Sequence, residues 1–309
     1  ADPLPVRHCV EQLRLHMPEI APIFDTIHAR VGGGDLAARF LSMYQPPRLV
    51  RACSQALLGS GEPTLIRTYD YSPRLFDGVL LRSEWGGVAT LAMIDCLWGA
   101  LDGINDRGLA VALAFGGRNA VGPGFAAPLV VRYLLQTCAN VAEAAQVLAR
   151  VPVFMPYTFV VLDETGASFT AMVGPDRPPH FDQSPVSTNH QTEGDWPEYQ
   201  TQTCSVERLR ELTRVLERDL SADDVLGAFL RPPVWRTDYA RASGTLYAAA
   251  YQGDCAKIEA LARLCVNPNI AHPQSGYTAL HVAVFGCQQA ATKALLDCFR
   301  YDLFIERIC

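Results

Sequence analysis

A cysteine that precedes a strand carrying both an arginine and an aspartate is the pattern in this sequence with the most chemical content. Cys53 lies in the segment 51–56, and Arg67 and Asp70 follow in the segment 65–71. Positive charge lowers the pKa of a thiol, so Arg67 is a candidate to activate Cys53, and Asp70 is a candidate to orient it. The alternative is plain packing, because cysteine is among the residue types most often buried.

Cleavage of the chain between Ala52 and Cys53 gives Cys53 a free α-amine. Such an amine titrates near pH ~8 and can take the proton of the thiol on the same residue. Pro46 and Pro47 favour an extended approach to this bond. Residues 1–52 are then interpreted as a helical propeptide, and the alternative is an ordinary helical lead-in.

The elements that must position these residues follow from hydrophobic periodicity. Residues 7–31 are predicted to be helical, with breaks at Pro18 and Pro22, and a short helix is predicted over 35–43. Strands and turns are predicted over 53–117, and two helices over 127–150. A strand pair over 157–173 and helices from residue 205 onward follow, with Ser221 as an N-cap. This order indicates an α+β layered domain.

Eight short segments resemble, in order and spacing, those of the acyl-CoA:6-aminopenicillanate acyltransferase-like peptidases, which are N-terminal nucleophile (Ntn) hydrolases. They are 39–44, 53–56, 67–71, 95–99, 102–111, 114–117, 187–191 and 244–247. The resemblance implies a four-layer αββα sandwich of the Ntn-hydrolase type. Two positions depart from the family pattern, which usually has glycine where this chain has Ala52 and asparagine where it has Thr68.

The resemblance also implies roles for the residues around the cysteine. Cys53 is expected to be the nucleophile, Asp70 to hold its α-amine, and Arg67 to stabilise the thiolate and to steer substrates. The alternatives are a structural ion pair for Arg67 and a turn or surface carboxylate for Asp70. Since the two are three residues apart, they face opposite sides of an ideal strand, and their convergence requires a bulge or the strand end.

The oxyanion hole is expected to use the side-chain amide of Asn189 and a backbone N–H at Phe115 or Gly116. For Asn189 the alternative is a turn that follows a short strand. His190 is interpreted as structural because an N-terminal cysteine needs no second base, and Asn105 is interpreted as a corner residue.

Together these residues predict an autoprocessing cysteine amidohydrolase or acyltransferase that acts through a thioester intermediate. The implied substrates are N-acyl amides or an acyl thioester such as acyl-CoA, and no metal or organic cofactor is implied. The alternative is a catalytically idle scaffold whose C-terminal tail binds a protein.

The tail has the spacing of ankyrin repeats. Leu246 and Leu280 are about one repeat apart, and 278–283 carries the T-x-L-H-x-A signature. Residues 246–309 are therefore interpreted as two helical ankyrin-like units after a catalytic domain over 53–245. Because about three repeats are normally needed for a stable core, the tail is expected to dock on the catalytic domain, on a second copy of the chain or on a protein partner. Segment 244–251 fits both a last strand of the catalytic domain and a first ankyrin helix.

Composition excludes several other classes of function. The net charge of −6 provides no basic surface for nucleic acid. No apolar run reaches the ~18 residues of a membrane helix. The ten cysteines contain no C-x-x-C pair, so neither a zinc site nor a secreted disulfide framework is expected, and a cytoplasmic location is favoured.

Overall fold

The computed structural model describes residues 4–50, 52–59, 63–192, 195–218, 220–239 and 243–252, and the backbone of 263–266. The helices are α1 (Val6–His16), α2 (Ala21–Arg30), α3 (Asp35–Ser42), α4 (Ala127–Thr137), α5 (Val141–Arg150), α6 (Pro197–Thr203), α7 (Ser205–Leu216) and α8 (Ala222–Phe229). The strands are β1 (Ala52–Leu58), β2 (Thr64–Tyr71), β3 (Val79–Trp85), β4 (Val88–Asp95), β5 (Gly99–Asn105), β6 (Ala110–Phe115), β7 (Tyr157–Leu162), β8 (Ser168–Gly174), β9 (Arg177–Asp182), β10 (Val186–Ser187), β11 (Thr237–Asp238), β12 (Ser243–Gln252) and β13 (Arg263–Val266).

Prolines determine the breaks in the N-terminal helical segment. α1 ends at His16, a short 3-10 helix begins at Pro18, and Pro22 lies in the first turn of α2. Proline lacks an N–H group and is tolerated in the first turn of a helix but not in its interior. The predicted helical pieces over 7–31 are therefore confirmed. The N-cap of α8 is confirmed as well, because Ser221 and Asp224 form a capping box.

A seven-stranded antiparallel sheet contains β3 to β9, and each of these strands pairs with the next along the chain. The corner between β5 and β6 is closed by Asn105, whose Oδ1 accepts hydrogen bonds from the N–H groups of Arg107 and Leu109. Its Nδ2 donates to carbonyls at the end of α4. The interpretation of Asn105 as a corner residue is confirmed.

A second antiparallel sheet has the order β10-β1-β2-β12-β11, and β13 also pairs with β12. The strand that carries Cys53 is therefore an interior strand, with β10 on one side and β2 on the other. Every residue of β1 and β2 is buried. Any group on β1 that performs chemistry must consequently do so inside the protein and not in an exposed loop.

Three apolar clusters show how the two sheets and the helices stack. One cluster joins α1 to α5 to the outer face of the seven-stranded sheet, a second fills the space between the two sheets, and a third joins α7 and α8 to the outer face of the other sheet. Within β6, Val111 and Leu113 point to the helices, whereas Ala112 and Ala114 point to the second sheet. The described residues thus form layers in the order helices, sheet, sheet, helices, which confirms the expected α+β class with two stacked antiparallel sheets.

The segment that fits two interpretations forms a strand. β12 extends through Gln252 and pairs with β2 from Gly244 to Gln252, with a register shift between Thr245 and Tyr247. It therefore crosses the boundary predicted between residues 245 and 246, and no ankyrin helix begins at Leu246. Ala248 to Ala250 favour helix by propensity, but neighbouring strands on both edges override this preference. Of the remaining ankyrin-like tail, 253–262 and 267–309 lie outside the described residues.

No helix among the described residues is long and apolar enough to cross a membrane. In the same part of the chain, no group of three or more His, Cys, Asp or Glu side chains is arranged to hold a metal ion.

Candidate active site

Cys53 is the second residue of β1, and its sulfur lies in the space between the two sheets. The residue is fully buried, and Ala52 before it is 2% exposed. Arg67 on the neighbouring strand β2 donates from Nη2 to Cys53 Sγ at 3.3 Å. The two side chains meet because Cys53 pairs with Tyr69, and Arg67, two residues away, points to the same face of the sheet. The structure thus brings the predicted nucleophile and the predicted activating charge together.

Asp70 does not converge with Arg67 on that face. β1 and β2 pair without a bulge, and Asp70 lies directly opposite Ala52. Its Oδ1 accepts a hydrogen bond from Thr245 Oγ1 at 2.8 Å. Its Oδ2 is buried without a hydrogen-bond partner, 3.9 Å from Arg208 Nη1. Without a bulge, Asp70 lies on the face of the sheet opposite to Arg67, across from the bond predicted to be cleaved, and its role in holding the α-amine stays a prediction.

The backbone of Cys53 is held by side chains on both sides of its α-carbon. Its N–H donates to Asn189 Oδ1 at 2.7 Å, and its carbonyl oxygen accepts from Arg208 Nη1 at 2.5 Å. Arg208 Nη1 also donates to Ser54 Oγ, and Nη2 donates to Asn189 Oδ1 at 2.8 Å. The nitrogen and the carbonyl of the candidate nucleophile are thus tied to one network of two buried polar side chains.

The partners of Asn189 define the orientation of its side-chain amide. Oδ1 accepts from two donors, and Nδ2 donates to the carbonyl oxygen of Phe115 at 3.1 Å. With the chain continuous through Ala52 and Cys53, Asn189 therefore holds the nitrogen of the predicted cleavage site. Its predicted role as an oxyanion donor remains a prediction, since Nδ2 is directed at Phe115.

The backbone N–H of Gly116, which was predicted as an oxyanion donor, already has a hydrogen-bond partner within the fold. Its N–H donates to the carbonyl of Pro156 at 2.8 Å, and Phe115 contributes its carbonyl oxygen to Asn189. Gly117 has φ +69, and a Cβ there would lie 2.1 Å from the carbonyl oxygen of Asn189. Glycine is required at 117 because only a residue without a Cβ lets the end of β6 approach the Asn189 segment so closely.

Ser205 at the start of α7 positions the same segment. Its Oγ accepts from the N–H of Asn189 at 3.0 Å and lies 2.6 Å from His190 Nδ1. Thr188 Oγ1 donates to the carbonyl of Ser205. His190 therefore contacts the helix start, as expected of a structural residue.

Burial dominates the electrostatics of the site. It raises the pKa of the Cys53 thiol above its usual value, while the charge of Arg67 opposes the rise and that of Asp70 adds to it. Burial also raises the pKa of the Asp70 carboxyl, against the opposing charge of Arg208. Burial therefore works against ionisation of the Cys53 thiol, and the guanidinium of Arg67 favours it.

Four buried residues of the site were not assigned a role by sequence reasoning. They are Asp102, Arg208, Tyr247 and Tyr251. Arg208 had a detectable signal, because it falls on the buried stripe of α7 together with Leu212 and Val215 at helical spacing. An arginine in such a stripe indicates a buried charge that requires partners.

The sequence matches the family described as acyl-coenzyme A:6-aminopenicillanic acid acyl-transferase over residues 57–262, which is more than half of the chain. The chain belongs to this family. Arg67, Asp70 and Asn189 lie inside the matched region, and Cys53 lies just before it. Membership places the chain, in general terms, among acyl-transfer enzymes. No curated protein sequence matches it significantly.

The solved structures that are similar to this chain at low sequence identity include the following three. Penicillin V acylase from Agrobacterium tumefaciens is 16% identical, with a TM-score of 0.48 over 70% of this chain and 83% of that one. A Caenorhabditis elegans orthologue of N-acylethanolamine-hydrolyzing acid amidase is 13% identical, with a TM-score of 0.47 over 65% and 92%. A mutant of conjugated bile acid hydrolase from Clostridium perfringens is 13% identical, with a TM-score of 0.42 over 70% and 90%. The family assignment rests on the sequence match alone.

Proposed function

We propose that this chain is an autoprocessing cysteine amidohydrolase or acyltransferase of the N-terminal nucleophile type. The observation that carries the proposal is the way Cys53 is held. Its sulfur contacts Arg67, its nitrogen contacts Asn189 and its carbonyl contacts Arg208, all inside a buried strand. Any buried N–H and carbonyl need partners, but here two buried side chains supply them and a guanidinium contacts the thiol itself, an arrangement that packing alone does not require.

Self-cleavage is the first step of the proposal. Cys53 Sγ attacks the carbonyl carbon of Ala52, the C–N bond between Ala52 and Cys53 breaks, and the nitrogen takes up a proton. Water then hydrolyses the thioester, which leaves a carboxylate on Ala52 and regenerates the thiol. Because Ala52 and Cys53 are buried and paired with β2, an external protease has no access to the bond, and this favours an intramolecular reaction.

The unpartnered oxygen of Asp70 supports a role for the amine that cleavage releases. A buried carboxylate oxygen without a hydrogen bond is costly, and Asp70 Oδ2 is such an atom across from Ala52. Asn189 Oδ1 already accepts from the nitrogen of Cys53. We infer that the new α-amine is held by Asn189 and Asp70, where it takes the thiol proton.

Turnover then follows acyl-transfer chemistry. The Cys53 sulfur attacks the acyl carbon of an N-acyl amide or of an acyl thioester, the α-amine passes the proton to the leaving group, and an acyl-enzyme thioester forms. Hydrolysis of this thioester by water gives an amidohydrolase, and attack by an acceptor amine gives an acyltransferase. Neither route uses a metal or an organic cofactor.

Intact mass and N-terminal sequencing of the purified chain test the processing step. We expect a mature chain that begins at Cys53, whereas Cys53→Ala should keep the full mass of 33.8 kDa. Cys138→Ala is the matched control, because this cysteine is also buried and unbridged but lies in the helix-sheet cluster, and it should be processed like the wild type. A screen of N-acyl amides and acyl thioesters tests turnover. A wild-type chain that stays intact and turns over no acyl substrate contradicts the proposal.

A further inference from the structure

Asp102 is a fully buried carboxylate in the space between the two sheets. It lies on β5, in the sheet opposite Cys53, and accepts hydrogen bonds from three side chains of the other sheet. The donors are Arg67 Nη1, Tyr247 Oη and Tyr251 Oη. No charged side chain other than Arg67 pairs with it in the described part of the chain.

Arg67 is shared between this carboxylate and the candidate nucleophile. Nη1 donates to Asp102 and to Tyr247 Oη, and Nη2 donates to Cys53 Sγ at 3.3 Å. The Tyr247 hydroxyl accepts from Arg67 and donates to Asp102. Guanidinium, carboxylate and phenol thus form a closed triangle, and the position of Nη2 against the sulfur depends on it.

The triangle also balances charge. A lone guanidinium in contact with a sulfur in a low-dielectric interior stabilises the thiolate strongly. The negative charge of Asp102 cancels much of that field, so the pair is neutral as a whole. On the other face of the same sheet, Asp70 and Arg208 form a second balanced pair.

We propose that Asp102, held by Tyr247 and Tyr251, is a positioning residue that fixes Arg67 against Cys53 and offsets the charge of Arg67 at the sulfur. The inference rests on the proposed function, because it concerns the thiol that acts there as the nucleophile. The alternative is a role in folding alone, in which Asp102 neutralises a buried arginine and has no effect on the thiol.

The direction in which one substitution shifts the pKa of the Cys53 thiol distinguishes the two roles. The titratable and charged groups packed around Cys53 are Arg67, Tyr69, Asp70, Asp102, Tyr199, Arg208, Tyr247 and Tyr251. Among these, Asp102→Asn removes one negative charge and keeps a hydrogen-bond acceptor for Arg67. If Asp102 offsets the charge, the variant lowers the pKa of the Cys53 thiol. If the Arg67–Asp102 pair only stabilises the fold, the substitution weakens this pair and Arg67 moves away from the sulfur. The pKa of the Cys53 thiol then rises or is unchanged.

The experiment is NMR of the full-length chain as purified, labelled with ¹³Cβ-cysteine and titrated with pH, with Cys53→Ser used to identify the Cys53 signal. We expect Asp102→Asn to lower the thiol pKa by about one unit. An unchanged or raised value overturns the proposal. Tyr133→Phe is the matched control, since it removes a tyrosine hydroxyl that bonds to a carboxylate and an arginine outside the space between the sheets, and it should leave the value unchanged.

A second variant covers the case in which Asp102→Asn does not fold. Tyr251→Phe keeps the charge of Asp102 but removes one donor from it, so the carboxylate is less compensated and the thiol pKa should rise. No change in this variant overturns the proposal. Because the signal comes from the thiol itself, the measurement succeeds or fails independently of whether the chain is cleaved or finds a substrate.

Discussion

At the scale of single residues, the site is a set of buried polar atoms around Cys53 that depend on one another for their hydrogen bonds. Asn189 accepts from the nitrogen of Cys53 and from Arg208, and it donates to Phe115. A buried amide with three partners leaves two donors and one acceptor unsatisfied when it is removed. The same residue is thus expected to matter for stability and for chemistry.

Asn189→Ala should lower kcat by roughly 10²-fold or more and slow the cleavage at Cys53, because the nitrogen of Cys53 and the developing charge lose a fixed partner. The free energy of unfolding should fall by about 1–3 kcal/mol, since buried groups are left unpaired. Steady-state kinetics, intact mass and urea unfolding measure the three effects. Asn119→Ala is the control, because Asn119 bonds to Arg48 at the surface. Full turnover in Asn189→Ala would remove this residue from the site.

At the scale of elements, the site depends on three pieces of chain that meet at β1. β2 supplies Arg67 and Asp70, the end of β6 supplies the carbonyl that holds Asn189, and α7 supplies Arg208. The glycines after β6 allow the close contact between that strand end and the Asn189 segment. A change in this contact should move Asn189 without touching its side chain.

Gly117→Ala tests that contact against a matched glycine. Both Gly117 and Gly86 have positive φ, but a Cβ at 117 would lie 2.1 Å from the carbonyl of Asn189, whereas no atom lies within 4 Å of a Cβ at 86. Gly86→Ala should cost only the backbone strain of about 1–2 kcal/mol. Gly117→Ala should lower the free energy of unfolding by more than this and should also slow cleavage at Cys53. Equal losses of stability with normal cleavage in both variants would show that the contact does not position Asn189.

At the scale of the whole molecule, the N-terminal helices are part of the main core. Leu13, Met17 and Phe24 are buried in one cluster with Trp98 and α4. Arg150 donates to the carbonyl of His16, and Tyr133 donates to Glu19. These contacts do not depend on the bond between Ala52 and Cys53.

If the chain is cut at Cys53, residues 1–52 should therefore remain bound to the rest of the protein. The expected result is co-elution of both fragments in size-exclusion chromatography under native conditions and separation in denaturant. Burial of several large apolar side chains, each contributing about 1.5–3 kcal/mol, is the reason. Uncut Cys53→Ala provides the reference elution volume. Loss of the small fragment under native conditions would show that the segment is a propeptide that leaves.

The tail after β12 is expected to support the molecule or to bind a second chain. Truncation after residue 266 keeps β13 on the edge of β12, whereas truncation after residue 253 also removes β13 and exposes that edge. If 267–309 contains the predicted ankyrin-like sequence, it cannot bury its apolar face alone, so its loss should cause aggregation or abolish a dimer. Light scattering and thermal melting of both truncations measure this. If the chain truncated after residue 266 is soluble and as stable as the full chain, the tail is an independent appendage.

The local pattern of the sequence determined much of the layout of the described residues. Prolines set the helix breaks near Pro18 and Pro22, apolar runs bounded by turn residues located the strand-rich segment 53–117 and the strand pair over 157–173, and Ser221 and Asp224 capped α8. Such features depend on neighbours within a few residues, so they are readable without the fold. The contact between the side chains of Cys53 and Arg67 was predicted from the family resemblance and from the charge that a reactive thiol requires.

Only the tertiary structure decided the rest. The strand state of β12 depends on hydrogen bonds from β2 and β13, which override the helical preference of its alanines. Asp102 and Arg208 reach the site from another sheet and from a helix, at separations of 35 and 155 residues from their partners. Asp70 faces away from Arg67 because β1 and β2 pair in register without a bulge. Contacts of this kind arise when sheets and helices stack, and no spacing along the chain encodes them.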